Sequence, residues 1–216
     1  MRTTISHPHR ARVVRFTRSE RAIHWTVAIA FFSMLGSGLL MGHTGSFHNL
    51  MYAWHLSSAG VLVFGVAAIM PRGNRRALLR TGRQLRTIDA LDRAWLAGVP
   101  AAVLRRTPQP PAGRFNAGQK VNFLLISLLL AALLMSGIGL LLAGSPPSPV
   151  FKAAHVVAAY LSVVLVVGHL YMALINPSTR PALSGIITGK VDNEWLHRHH
   201  PRTTSDEDAP AAPNHT

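Results

Sequence analysis

Four histidines carry the chemistry open to this sequence: His24, His55, His155 and His169. All four lie in long stretches without Asp, Glu, Lys or Arg, where histidine is the side chain left to bind a metal or move a proton. Imidazoles in such surroundings are costly and mark function by default. His155 and His169 stand 14 residues apart. On an α-helix that is ~21 Å along the axis, and 14 steps of 100° fall about 40° short of four turns. The two rings therefore share a face, one towards each end of the same helix. A lone membrane histidine more often hydrogen-bonds between helices than ligates, so the argument rests on how all four are placed.

The elements that place them follow from the charge pattern. No Asp, Glu, Lys or Arg occurs between Arg21 and Arg72, from Val121 to Phe151, or from Ala153 to Thr179. One span needs about 20 apolar residues, and these blocks predict four, at 22–42, 50–70, 121–143 and 151–175. Of the 22 basic residues, six arginines precede span one, 11 Lys or Arg lie between Arg72 and Lys120, and four follow span four; only Lys152 falls in the two short turns. That asymmetry puts both termini and the 71–120 loop in the cytoplasm. It also accounts for the net charge of +14 without nucleic acid. The expected organisation is a basic cytoplasmic segment 1–18, a transmembrane domain 19–176, and a cytoplasmic tail 177–216 that is disordered from about 203. Absent cysteine excludes disulfides, thiolate metal sites and iron–sulfur ligation in this chain. The first apolar stretch is too long for a signal peptide's core, so a cleaved leader is not expected.

With this topology the depths match in two pairs, His55 with His155 near the outer surface and His24 with His169 near the inner one. Two cross-helix imidazole pairs, one above the other, suit two six-coordinate haems acting as electron carriers. Zinc or copper would want its ligands gathered at one depth. The predicted fold class is thus an all-α integral membrane protein, a four-transmembrane-helix bundle binding two b-type haems. His43 and His48 on the outer turn, and His197, His199 and His200 in the tail, read as solvated loop residues. Gly36, Gly38, Gly60, Gly65, Gly137, Gly139 and Gly168 serve either close helix contact or room for a flat macrocycle. Arg15, Arg18 and Arg21 read as topology anchors, with haem propionates the alternative partners. Residues 75–96 form an amphipathic stretch suited to an anionic membrane surface. Pro100 interrupts the apolar run 95–104, and Ser19-Glu20 suit the start of helix one. No internal repeat is evident.

Several runs resemble the cytochrome b (gamma) subunit of membrane-bound respiratory formate dehydrogenase. They are Arg15-Phe16-Thr17 leading to Ile23-His24-Trp25-Thr26, Trp54-His55, Arg114-Phe115-Asn116-Ala117-Gly118-Gln119-Lys120, and Ala154-His155. His169-Leu170-Tyr171-Met172-Ala173, the run from Ser184 to Val191, and His199-His200-Pro201-Arg202 continue the likeness. The resemblance implies that the four histidines ligate two haems b. The outer haem, on His55 and His155, would take electrons from an iron–sulfur (beta) subunit, served by a molybdenum or tungsten (alpha) subunit that oxidises formate. The inner haem, on His24 and His169, would pass them to menaquinone or ubiquinone. Asn116, Gly118 and Gln119 would line the quinone site, although Asn116 also suits a helix cap. The expected location is the bacterial inner membrane, with multiple passes. Alternatives are the same module in a hydrogenase or sulfur-compound oxidoreductase, a free-standing quinol oxidase of the b561 type, and a small transporter without haem.

Overall fold

The computed structural model describes residues 11–42, 45–105 and 107–204 of the chain. Four helices among them are long and apolar enough to cross a membrane: α1 (Arg18–Leu40), α2 (Ser46–Arg72), α5 (Ala117–Ala143) and α6 (Pro149–Leu170), the last continued by a π-helical turn, Tyr171–Ile175. Two amphipathic or mixed helices, α3 (Arg75–Arg86) and α4 (Ala90–Arg105), fill the connection between α2 and α5. A tail of short elements follows: α7 (Leu183–Thr188), β2 (Lys190–Asp192) and α8 (Asn193–His199).

The helix starts are written in side chains that satisfy orphan N–H groups. Thr17 caps α1 in a box with Glu20, whose carboxylate accepts from the Thr17 N–H at 2.7 Å. The Ser19 hydroxyl accepts from the Asn74 N–H at 2.8 Å, tying the start of α1 to the α2–α3 turn. Asn116 and Gln119 form the equivalent box on α5. Pro149 opens α6, where its missing N–H costs nothing. The expected single amphipathic stretch at 75–96 is in fact two helices. Asp89 and Asp92 exchange backbone-to-carboxylate bonds of 2.8 and 2.9 Å, starting a new helix at Ala90. Pro100 lies inside α4 without ending it.

Within the spans, α1 packs along α2 and α5 along α6, giving two helical hairpins; direct contact between the hairpins there is slight. Small residues allow the close approach that replaces the hydrophobic effect in lipid. A Cβ at Gly65 would lie 3.0 Å from Thr26, and one at Gly139 would lie 2.6 Å from the Phe151 ring. At Gly36 and Gly168, by contrast, a Cβ would meet nothing within 4 Å. Ser33 and Ser58 join α1 to α2 through hydroxyls 2.7 Å apart, and Trp54 Nε1 donates to Ser33 at 2.6 Å.

The hairpins are joined most firmly at their basic end, in a polar cap. Strand β1 (Arg12–Val14) pairs antiparallel with β2, setting Val13 opposite Val191, which is completely buried. The charge pattern gave 1–18 only as a basic segment; three-residue strands carry too little periodicity to announce themselves. Gly189 turns the tail into β2 at φ +88°, and a Cβ there would also strike the Phe16 carbonyl at 2.9 Å. The predicted disordered tail lies outside the described residues from 205 onwards, while Pro201–Thr204 form a 3-10 turn.

Candidate functional site

The four span histidines meet as two pairs. His55 on α2 faces His155 on α6 with ring centres 6.1 Å apart, and His24 on α1 faces His169 on α6 at 6.4 Å. His55 and His155 lie towards the turn end of the bundle, His24 and His169 towards the cap end. Both pairs join the first hairpin to the second, and α6 contributes to each.

The spacing can be tested against a metal held between the rings. Imidazole nitrogen binds a metal at ~2 Å and the ring centre lies about 1 Å behind it, so rings on opposite sides of one metal stand about 6 Å apart. Both pairs have that spacing, and each offers two imidazoles and no carboxylate or thiolate. No cluster of three or more His, Cys, Asp or Glu suitable for a metal ion occurs among the described residues. A donor set of two nitrogens leaves four positions for another ligand, as a porphyrin supplies. The residues present fit haem.

At the turn end the ring tautomers follow from the hydrogen bonds. Ser37 Oγ donates into its own helix, to the Ser33 carbonyl at 2.9 Å, and its lone pair faces His55 Nδ1 at 3.1 Å. The Met34 carbonyl, which can only accept, is 3.0 Å from the same nitrogen. His55 Nδ1 therefore carries the proton and Nε2 keeps its lone pair. Across the bundle, Ser136 Oγ donates to the Ala132 carbonyl at 2.6 Å and faces His155 Nδ1 at 3.0 Å. Gly38 and Gly137 follow these serines, and a Cβ at either would lie 3.6 or 3.5 Å from the histidine beside it. Sequence reasoning missed both serines and the echo they form. The available signal was a Ser-Gly step 18 residues before His55 and 19 before His155. Among the described residues, neither ring of the cap-end pair has a hydrogen-bond partner.

Asn116, Gly118 and Gln119 occupy the first turn of α5, at the cap end. The side-chain oxygens of Asn116 and Gln119 are committed to the capping box. Their amide nitrogens have no acceptor among the described residues and remain available as donors. Trp95 of α4 lies over Gly118, where a Cβ would be 3.3 Å from the indole. Beside them, buried Lys120 pairs with buried Asp92 at 2.6 Å.

The cap corrects one expectation. His200, read as a solvated tail residue, is only 2% exposed. Its Nδ1 donates to the Gly113 carbonyl at 2.7 Å, and its Nε2 accepts from Arg15 at 3.1 Å. Burial first, then the neighbouring Arg15 charge, pushes its pKa down to about 3, against the opposing pull of the Gly113 carbonyl. The same burial, with Arg114 alongside, lowers Arg15 to about 10, which leaves it charged at neutral pH. Arg15 and Arg114 donate to each other's carbonyls at 2.9 and 2.8 Å, and Arg114 pairs with Glu20 at 2.8 Å. Thr81 donates to the same Glu20 carboxylate. Of the arginines considered for propionates, Arg15 is thus absorbed by the cap, and Arg21 donates to the Ile186 and Ile187 carbonyls of α7. His199 stacks on Trp195 with ring centres 4.8 Å apart, and His48 bonds the Met41 carbonyl at 2.8 Å. His43 lies outside the described residues.

The chain is similar to known proteins over most of its length. The chain is 28% identical over 203 residues to the nitrate-inducible formate dehydrogenase cytochrome b556(Fdn) subunit of Escherichia coli (strain K12), covering 88% of this chain and 89% of that protein. It is 28% identical over 206 residues to the formate dehydrogenase cytochrome b556(fdo) subunit of the same strain, covering 89% and 92%. The formate dehydrogenase cytochrome b556 subunit of Haemophilus influenzae is 26% identical over 217 residues, covering 91% and 84%. A model of the prokaryotic cytochrome b561 family, whose members carry haem b, matches residues 15–189. The chain belongs to the prokaryotic cytochrome b561 family.

Proposed function

We propose that this chain is the membrane-anchoring dihaem cytochrome b subunit of a formate dehydrogenase, carrying electrons from a periplasmic iron–sulfur subunit to quinone at the cytoplasmic side. The observation that carries this reading is the pairing of His55 with His155 and His24 with His169 at two depths, each at the spacing of a bis-imidazole site. The relatives named for formate dehydrogenase supply the donor. The basic cap faces the cytoplasm by its arginine content, and the chain sits in the bacterial inner membrane.

His55 with His155 and His24 with His169 would hold haem, which would supply one-electron transfer. Everything else is done by the chain. At the turn end Nε2 of His55 and of His155 presents a lone pair, and Ser37 and Ser136 hold the rings that present it. The apolar spans keep water away from both pairs. At the cap end the amides of Asn116 and Gln119 donate to a quinone oxygen, beside Trp95, which packs over Gly118. Menaquinone and ubiquinone both fit these donors.

The test is spectroscopic and functional together. Purified with its partners, the complex should give two haems b per chain by pyridine haemochrome, and formate should reduce both. His55→Ala and His155→Ala should remove one haem, and His24→Ala and His169→Ala the other. Loss patterns that regroup these four would overturn the pairing. The short 42–49 turn offers little surface to a periplasmic partner, which favours a second reading as the cytochrome of a hydrogenase or sulfur-compound oxidoreductase. Haem reduction by hydrogen or a reduced sulfur compound, with none by formate, would select that reading.

A further inference from the structure

The two histidine pairs differ in how their rings are held. At the turn end each ring rests its Nδ1–H on a serine whose own hydroxyl proton is already spent on a helix carbonyl. That arrangement leaves each serine as an acceptor for its ring, alongside the Met34 or Leu133 carbonyl, and it is repeated on α1 and α5. At the cap end neither His24 nor His169 has an acceptor among the described residues. A ligating imidazole that donates its second N–H becomes a more basic ligand, and a more basic ligand favours the more highly charged metal. The lever acts on the ferric form, since the extra electron density stabilises Fe(III) over Fe(II).

From this asymmetry we infer that Ser37 and Ser136 are positioning residues that lower the reduction potential of the turn-end haem below that of the cap-end haem. The inference rests on the dihaem reading above. Two features of the geometry support it independently of potential. Gly38 and Gly137 stand beside the same two rings, where a Cβ would come within 3.6 and 3.5 Å of them, in ordinary contact. Each serine is also buried, at 4% exposure, so water does not compete for the Nδ1–H. In the orientation proposed, electrons travel inward against the field of an energised membrane, and a lower potential at the outer pair supplies the slope.

The test is a redox titration of the intact complex, comparing wild type with Ser37→Ala/Ser136→Ala and with Ser37→Thr/Ser136→Thr. Removing the serine acceptors should shift the ferric-to-ferrous ratio of the turn-end haem about fivefold towards ferrous. That equals a rise of about 40 mV for a one-electron couple at 59 mV per decade. The Met34 carbonyl remains as an acceptor for His55 and the Leu133 carbonyl for His155, which is why the shift is modest. The cap-end midpoint should stay put, and the threonine variant, which keeps the oxygen, should titrate like wild type. The ferric low-spin electron paramagnetic resonance signal of the turn-end site should move with the alanines alone. Assignment to the site comes from the His24→Ala background, which retains only the turn-end haem. Two haems bound with unchanged midpoints, or both midpoints moving together, would overturn the inference and leave the dihaem reading intact. A wild-type chain without two haems overturns the reading itself.

Discussion

His200 makes the basic cap acid-sensitive, and the size of the effect can be worked out. In the unfolded chain its imidazole titrates at 6.5; in the fold it is held down at about 3, chiefly by burial and next by Arg15. Above pH 6.5 the ring is neutral in both states and the bond from Arg15 to Nε2 is at full strength. Below it the unfolded chain takes up a proton that the folded chain refuses. Stability then falls by about 1.4 kcal/mol for each pH unit, until the folded value near 3 is reached. Between pH 7 and pH 5 that is a loss of about 2 kcal/mol from this one residue. The ring is 2% exposed, so solvent screening takes little from the figure. The assay is urea unfolding of the detergent-solubilised chain at a series of pH values, followed by the fluorescence of Trp195, whose ring centre is 5.6 Å from that of His200. His200→Gln keeps an acceptor for Arg15 and a donor for Gly113 but cannot titrate in this range. The wild type should therefore lose about 2 kcal/mol more than this variant over the two units. Parallel pH profiles for the two proteins would refute the reasoning.

Two further perturbations address the ion pair and the helix packing. Glu20→Ala leaves Arg114 buried without its counter-charge and should destabilise the cap by about 3–5 kcal/mol. Removing both charges, as Glu20→Gln with Arg114→Met, should cost much less than the two single changes added, in a double-mutant cycle of urea midpoints. Gly139→Ala places a methyl 2.6 Å from the Phe151 ring and should cost about 1–3 kcal/mol by overpacking α5 against α6. Gly36→Ala, where nothing lies within 4 Å, should change the unfolding midpoint little.

How much of this was legible beforehand depended on the distance over which a signal had to act. The uncharged blocks announce the four long helices because the bilayer imposes its demand on every residue of a span. Counting residues and turns from the blocks was then enough to bring His55 to His155 and His24 to His169. The cap was not legible. His200 sits in a polar tail of histidine, arginine and proline that reads as solvated, and it is enclosed by Arg15, 185 residues earlier, by Gly113 and by Trp195. Asn116 was weighed as a helix cap, and its Oδ1 does cap α5, so the quinone contact proposed for it falls to its other amide atom. Ser37 and Ser136 were hidden by ambiguity, since a serine in a span usually serves packing. Their roles appear only when the helix carbonyl that takes the hydroxyl proton is known.

Each histidine pair is shared between the two hairpins, while the protein-to-protein ties between those hairpins gather in the basic cap. Such a molecule has a two-step biogenesis built into it. The hairpins can enter the bilayer separately, each satisfying its own backbone. The ribbon of β1 with β2, which joins Val13 to Val191, closes only after the tail has been synthesised. From then on the halves are held in register as by a clasp, with the two pairs of rings opposite one another. A chain cut before residue 190 would keep the Glu20–Arg114 pair between its hairpins and lose the ribbon that sets their register.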